Sequence, residues 1–115
     1  MEIREYVTRD GKAIFTDWWK KLRDRQARDK IQIQLDRLES GNTGHCKSLN
    51  DGLHEVRIHY GPGYRVYFGN TGKHIILLLC GGNKASQQQD IKRARQYWKD
   101  YRRRLWNQAD PTRKP

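Results

Sequence analysis

The stretch from Leu53 to Asp90 decides the fold, and it reads LHEVRIHYGPGYRVYFGNTGKHIILLLCGGNKASQQQD. Apolar and polar residues alternate with a period of two on both sides of Gly61-Pro62-Gly63. This period is typical of half-buried strands. The apolar members of the alternation are Val56, Ile58, Tyr60, Val66 and Phe68. Each strand therefore has one face for the core and one polar face.

The turn between these strands determines how their faces meet. A two-residue loop would place apolar residues opposite polar ones along the whole hairpin. A three-residue loop over Gly61-Pro62-Gly63 avoids this conflict and suits those residue types. The expected pairs are Ile58 with Val66, His59 with Arg65, and Arg57 with Tyr67. The polar face then gathers five side chains, which are Glu55, Arg57, His59, Arg65 and Tyr67.

Two stripes of apolar residues at helical spacing precede the hairpin. The first, from Phe15 to Leu22, predicts a helix of three to four turns with Asp10 as its N-cap. The second, from Ala27 to Leu38, predicts another helix after a break near Asp24. A single long kinked helix is the alternative, although two helices would cover the apolar face of a sheet better.

The remaining elements complete a small α+β domain. Short strands are expected within residues 1–7 and 47–49, and the apolar run 75–79 indicates a strand with both faces covered. A last helix is expected to open with a Ser86–Gln89 capping box and to carry an apolar stripe to Leu105. We therefore predict one domain over residues 1–105, with an antiparallel-dominated sheet, two N-terminal helices on one face and a C-terminal helix. Residues 106–115 are expected to form a frayed basic tail.

The charge of the chain restricts its partners. A net charge of +11, from 24 Lys and Arg against 13 Asp and Glu, favours a nucleic acid or a strongly acidic protein. A basic surface with no specific partner is the alternative. No apolar run reaches membrane-spanning length, and no signal peptide is evident, so a cytoplasmic protein without membrane contact is expected. Cys46 and Cys80 give neither a disulfide framework nor metal-ligand spacing, so neither metal nor cofactor is expected.

The polar face of the hairpin can perform a specific chemistry. RNA cleavage without a metal requires deprotonation of a 2′-OH, charge balance at the phosphorus, and protonation of the 5′-oxygen. Arg57, Arg65 and Lys84 should converge at one end of the sheet, near a helix N-terminus that favours anions. His59 is a candidate for proton transfer. Alternatively, Arg65 pairs with Glu55 as a surface ion pair.

The segments GLHEVRIHYGPGYRVYF, GGNK and QQQDIKRARQYW resemble the RelE/HigB superfamily of type II toxin–antitoxin toxins, in its phage-derived addiction module killer branch. The resemblance covers residues 1 to 102. It implies a RelE-like fold and a metal-independent, ribosome-dependent mRNA endoribonuclease that inhibits translation. It also implies a helix-turn-helix antitoxin as partner, with operator DNA contacted only through that antitoxin.

The resemblance also implies roles for individual residues. Arg65 matches an arginine that contacts the scissile phosphate, and Lys84 matches a basic residue at the strand-to-helix exit. Asp90 matches a position of proton transfer, although an acid in the first turn of a helix is favoured by the helix dipole in any case. Family members often carry a tyrosine near this position where this chain has Asp90-Ile91, so the general acid is not assigned.

Several other residues are candidates for RNA binding. Tyr67 is placed to stack a base or, alternatively, to fill the sheet surface, and Glu55 shares its face. Lys99, Arg102 and Arg103 on the last helix would attract ribosomal RNA phosphates or an acidic antitoxin. A non-catalytic module that binds nucleic acid or an antitoxin through the same face remains the alternative to the endoribonuclease.

Overall fold

The protein is a five-stranded mixed sheet with helices on both faces. The computed structural model describes residues 1–109, and their side chains as far as Trp106. In chain order the elements are β1 Glu2–Glu5, α1 Ile14–Lys21, α2 Arg25–Glu39, β2 Lys47–Ser48, β3 Leu53–Ile58, β4 Tyr64–Asn70, β5 Ile75–Gly82, a single-turn 3-10 helix Lys84–Ser86, and α3 Gln87–Ala109. The strand order is β1-β5-β4-β3-β2, and only the β1–β5 pair is parallel. The predicted antiparallel-dominated α+β architecture is confirmed.

The central hairpin has a different register from the one predicted. Strand pairing ends at Ile58 and Tyr64, and Arg57 lies opposite Arg65. The loop therefore spans residues 59–63. All three expected pairs are wrong, namely Ile58 with Val66, His59 with Arg65, and Arg57 with Tyr67. Tyr60 explains the difference, because its hydroxyl donates a hydrogen bond to Asp24 at the start of α2, 2.7 Å away. That contact draws Tyr60 out of the ladder. A shift of two residues keeps every side chain on its predicted face.

Helices α1 and α2 cover one face of the sheet. Apolar residues of these helices pack with the alternate apolar positions of β3, β4 and β5 in a first core, formed by Phe15, Ile31, Leu35, Leu38, Val56, Ile58, Val66, Phe68, Ile76 and Leu78. Asp24 caps α2 by accepting from the backbone N–H groups of Gln26 and Ala27. The expected break near Asp24 is thus confirmed, and the chain forms two helices here.

The start of α1 differs from the prediction. The helix begins at Ile14, and Ala13 occupies the N-cap position without a side-chain hydrogen bond. Asp10 lies instead in a turn, because Val7 and Ala13 form a β-bridge and Thr8 N–H donates to Lys12 O. Asp10 is therefore not the N-cap, and α1 has only 8 residues.

Helix α3 covers the opposite face, which was expected to be polar and open. A second core forms there from Tyr6, Leu53, Tyr67, Leu77, Leu79, Cys80, Ala94 and Trp98. Both faces of β5 are therefore buried, as predicted from its apolar run. On this face Arg57 of β3 remains exposed. The helix continues to Ala109, so residues 106–109 of the predicted tail are helical, and the rest of that tail lies outside the described residues.

Within residues 1–109, no helix is long and apolar enough to cross a membrane.

The packing of α3 depends on Gly69, because a Cβ at this position would overlap the Trp98 ring. We expect Gly69→Ala to lower the free energy of unfolding by about 2 kcal/mol, as overpacking in a core does. Gly44→Ala is the matched control, since no atom lies within 4 Å of its Cβ position, and its effect should stay within about 0.5 kcal/mol. Thermal unfolding measures both. Equal midpoints for the two variants would show that Trp98 does not pack on Gly69.

Candidate active site

A cleft of about 250 Å³ lies where the β3–β4 loop meets the exit from β5. Its walls are Arg57, Ile58, His59, Gly63, Tyr64, Arg65 and Lys84. Four of the five residues predicted to be catalytic, namely Arg57, His59, Arg65 and Lys84, thus line one cavity. Three of these four carry a cationic group, so the cleft is suited to an anionic ligand.

Strand pairing brings these side chains together. Arg65 on β4 lies opposite Arg57 on β3 and opposite Gly82 on β5. Lys84 follows Gly82 by two positions, and its backbone N–H lies 3.4 Å from the Pro62 carbonyl oxygen in the β3–β4 loop. The loop and the strand exit are therefore joined directly. The cleft is assembled from three neighbouring strands that follow one another in the chain.

The Arg65 guanidinium is buried but sparsely bonded. The residue is 6% exposed, and its Nη1 donates to the Gly63 carbonyl oxygen at 3.1 Å. Its Nε makes no hydrogen bond and lies 3.8 Å from Glu55 Oε2. Among the described residues, the Arg65 side chain makes no other hydrogen bond, although a guanidinium offers five N–H donors. Buried donors without partners are uncommon in proteins, so this group retains capacity to bind an anion in the cleft.

Glu55 connects the two arginines beneath the cleft. Its Oε1 accepts from Arg57 Nε at 3.1 Å, and its Oε2 accepts from Gln87 Nε2 at 3.1 Å. Burial opposes ionisation of this carboxyl, but hydrogen bonds from Arg57 and Gln87 outweigh it and hold the pKa of Glu55 below its usual value. Glu55 therefore carries a negative charge inside a cationic site. The ion pair that was the alternative explanation for Arg65 is present, but without a hydrogen bond at Nε.

Two predicted RNA contacts are not accessible. Tyr67 is 0% exposed and Glu55 is 1% exposed, because α3 covers their face of the sheet. Burial, followed by the nearby Glu55 charge, raises the pKa of Tyr67. The Tyr67 hydroxyl is close enough to Glu55 for this effect, yet it makes no hydrogen bond of ordinary geometry. In this fold Tyr67 fills the core, and Glu55 lies in the interior beside it.

Asp90 is held away from the walls of the cleft. It is buried and accepts a hydrogen bond from the Ser86 hydroxyl. Its carboxylate packs so closely on the β5 backbone that a Cβ at Gly82 would overlap Oδ2. The cleft residues do not include Asp90. The predicted role of Asp90 in proton transfer is thus not matched by a position in the cleft.

Lys84 opens the 3-10 helix that leads into α3. The capping box here joins Asn83 and Ser86, because the Asn83 side chain accepts from the backbone N–H groups of Ala85 and Ser86 while Asn83 N–H donates to Ser86 Oγ. The box predicted between Ser86 and Gln89 is therefore wrong, and the Ser86 hydroxyl binds Asp90 instead. This cap leaves the Lys84 side chain exposed at the cleft.

The basic residues of α3 that were predicted to bind RNA lie towards the other end of the sheet. Arg102 is 12 positions after Asp90, or roughly 18 Å along the helix. Its guanidinium lies over the Trp98 ring and donates to the Asp51 carbonyl oxygen, beside a separate groove of about 620 Å³. Lys99 and Arg103 are exposed on the same part of α3. The structure therefore does not bring Lys99, Arg102 and Arg103 together with the cleft.

The site also includes three residues that the sequence did not single out as functional, Gln87, Gly63 and Tyr64. Gly63 and Tyr64 line the cleft, and Gln87 binds Glu55 from the first turn of α3. Gly63 had been considered only as a turn residue, and its positive φ of 78° fits that use. Gln87 is one of three consecutive glutamines, so the pattern carried no signal to single it out.

The electrostatic environment of Glu55 predicts a pH-dependent stability. Because folding lowers the Glu55 pKa from a value near 4.5, its contribution is present above that pH and is lost as the pH falls through the folded pKa. At pH 7, Glu55→Gln should lower the free energy of unfolding by roughly 2–4 kcal/mol. The difference from the wild type should shrink between about pH 6 and pH 3. Urea unfolding at several pH values measures it, and a constant difference would contradict the assigned environment.

Comparisons with known proteins place this geometry in a family. Residues 17–99 match the family model described as phage-derived protein Gp49-like. An uncharacterised protein of Haemophilus influenzae is 47% identical over 81 residues, which are 70% of this chain and 82% of that protein.

A structural comparison gives the fold. The free-state structure of the E. coli toxin RelE, in a variant with two arginine-to-alanine substitutions, matches with a TM-score of 0.56 at 18% identity. It covers 81% of this chain and 98% of that one. The RelE-like fold expected from the sequence is confirmed. On the family match and the Haemophilus relative, the chain belongs to the Gp49-like family of phage-derived proteins.

Proposed function

We propose that the protein is the toxin of a type II toxin–antitoxin system and that it cleaves mRNA on the ribosome. The observation that carries this proposal is the buried Arg65 guanidinium, which faces a cationic cleft with most of its donors unused. The RelE-like fold and the phage-derived family support it. The net charge of +11 fits a substrate as anionic as RNA held in a ribosome.

The cleft would stabilise the charge that develops during transesterification. The 2′-oxygen loses its proton and attacks the adjacent phosphorus, the bond to the 5′-oxygen breaks, and that oxygen takes up a proton. The products are a 2′,3′-cyclic phosphate and a 5′-hydroxyl. Arg57, Arg65 and Lys84 surround the space where a five-coordinate phosphorus would carry extra negative charge. DNA lacks the 2′-OH, so the same chemistry would spare it.

The cleft offers few side chains for proton transfer. His59 lines the cleft and can accept or donate a proton, whereas Asp90 and Tyr67 lie outside its walls. Among the described residues the cleft wall carries one imidazole and no carboxylate, so the reaction depends on the geometry in which its RNA is held. An A-site codon ordered by the ribosome would present its 2′-OH in line with the leaving oxygen, which is why we place the reaction on the ribosome.

The partners follow from the same charge. A helix-turn-helix antitoxin with an acidic segment would complement the cationic cleft and silence it, and operator DNA would then be reached only through the antitoxin. The basic residues Lys99, Arg102 and Arg103 would add salt-dependent attraction to ribosomal RNA, far from the chemistry. We place the protein in the cytoplasm, where ribosomes are.

A second candidate function is a non-catalytic module that binds RNA or an antitoxin through this cleft. The burial of Asp90 favours it, because within the described part of the chain His59 is then the one imidazole or carboxylic acid side chain on the cleft wall.

Substitution of the cationic residues tests the catalytic proposal. Lys84→Ala and Arg65→Ala should each lower the cleavage rate about a hundredfold, because each removes a charge that the transition state needs. Arg65→Lys should also be impaired, since a lysine keeps the charge but loses the planar fork. Lys12→Ala is the control, because this lysine is exposed in the turn before α1. Growth arrest and cleavage by purified protein are the measurements, with circular dichroism to confirm folding. A folded Lys84→Ala variant with full toxicity would contradict the assigned site.

A separate experiment tests whether the ribosome supplies the geometry in which the RNA reacts. Purified protein should bind free RNA with an affinity that falls as salt rises, yet it should cleave that RNA slowly. Programmed ribosomes in their own magnesium buffer should allow rapid cleavage within the A-site codon without any further metal. Equal rates on free and ribosome-bound message would rule out the ribosome-dependent mechanism. Binding to both RNAs without cleavage of either would support the non-catalytic module.

A further inference from the structure

Glu55 is an acid at the base of a cleft that otherwise attracts anions. Its side chain is inaccessible to solvent, so it does not itself touch a ligand in the cleft. A negative charge so close to a phosphate site weakens binding of the phosphate. The effect of Glu55 on the cleft therefore comes through its contacts with Arg57, Arg65 and Gln87.

The two arginines need a common partner. Arg57 and Arg65 lie directly opposite each other on β3 and β4, and like charges in that arrangement repel. Glu55 lies two residues before Arg57 on the same face of β3, and its two oxygens meet the two guanidiniums separately, at 3.1 Å and 3.8 Å. The carboxylate therefore offsets the repulsion between both cations.

The contacts with Glu55 also fix the direction in which each arginine side chain points. In each ion pair the guanidinium atom nearest Glu55 is Nε, so the Nη groups at the far end of each arginine are turned away from the carboxylate. Gln87, at the start of α3, donates to the same oxygen that faces Arg65. The carboxylate is thus held by β3 and α3 together, and it cannot rotate without losing a hydrogen bond.

We infer that Glu55 is a positioning residue, which acts through Arg57 and Arg65 by directing their terminal N–H groups into the cleft. Gln87 assists by fixing the carboxylate. This inference rests on the proposed function, because it describes how the same cleft is prepared for a scissile phosphate. Charge that is correctly oriented before the reaction is more effective than mobile charge of equal magnitude.

The positioning role predicts opposite effects on binding and on cleavage. Glu55→Gln removes a negative charge, so free RNA should bind with equal or higher affinity. Cleavage should fall at least tenfold, because the arginines repel each other and lose their orientation. A purely structural role predicts that binding and cleavage fall together, in proportion to the folded fraction.

The experiment measures single-turnover cleavage on programmed ribosomes and dissociation constants for free RNA, well below the unfolding midpoint of every variant. Gln87→Ala leaves Glu55 ionised and should lower the cleavage rate a few-fold. Gln88→Ala is the matched control, an exposed glutamine next in the chain, and should match the wild type. In the Arg65→Ala background, Glu55→Gln should lose most of its effect, since one of the two groups it acts through is gone. Equal fold-losses in both backgrounds would overturn the inference.

A spectroscopic measurement separates this inference from the proposed function. In the wild type, the Arg57 Nε–H, which donates to Glu55, should exchange slowly with solvent in ¹⁵N NMR spectra, and in Glu55→Gln it should exchange fast. If the wild type cleaves no RNA but this difference appears, the proposed function fails and the positioning of the arginines stands. If both proteins give the same Nε–H exchange, Glu55 does not orient the arginines, whatever the protein cleaves.

Discussion

The pairing of β4 with both of its neighbours is the constraint on which the cleft depends. It places Arg65 opposite Arg57 on one side and opposite Gly82 on the other. Because side chains alternate along a strand, the same pairing sends Val66 and Phe68 into the first core and Tyr67 into the second. A slip of one residue would turn the side chains of both cores, and those of the cleft, to the opposite face of the sheet. The hydrophobic packing on both faces therefore holds the register that the chemistry requires.

Much of this arrangement was predictable because it rests on a period of two. The assignment of Arg57, Arg65 and Tyr67 to one face needs only the alternation of side chains, and it survives any register shift of an even number of residues. The exact pairing does not follow from that period. It depends on Tyr60, whose hydroxyl binds Asp24 more than thirty residues earlier in the chain. A tertiary contact of this kind has no local signature, so the loop length predicted from turn preferences was wrong.

The accessibility of the second face was not predictable for a related reason. The apolar stripe of α3 shows that the helix must bury one side, but not which part of the sheet it will cover. The Trp98 ring packs on Gly69, where the absence of a side chain leaves room for it. With this contact made, α3 lies over Tyr67 and Glu55. Residues that looked like an RNA-binding surface became part of the interior. The cleft lined by Arg57, His59, Arg65 and Lys84 remains accessible, close to the N-terminus of α3.

The cleft combines a stable fold with a buried cation, two requirements that normally conflict. Buried ion pairs contribute little to stability, because removing the charges from water costs about as much as their attraction returns. Arg65 is the costly member here, since it is buried and makes a single hydrogen bond among the described residues. If stability alone mattered, an apolar side chain at this position would pack as well. A phosphate in the cleft would accept from the donors of Arg65 that the protein leaves without partners, and this interaction would offset the cost of burying the charge. Glu55 orients that cation from a buried position, where the carboxylate itself does not reach a phosphate.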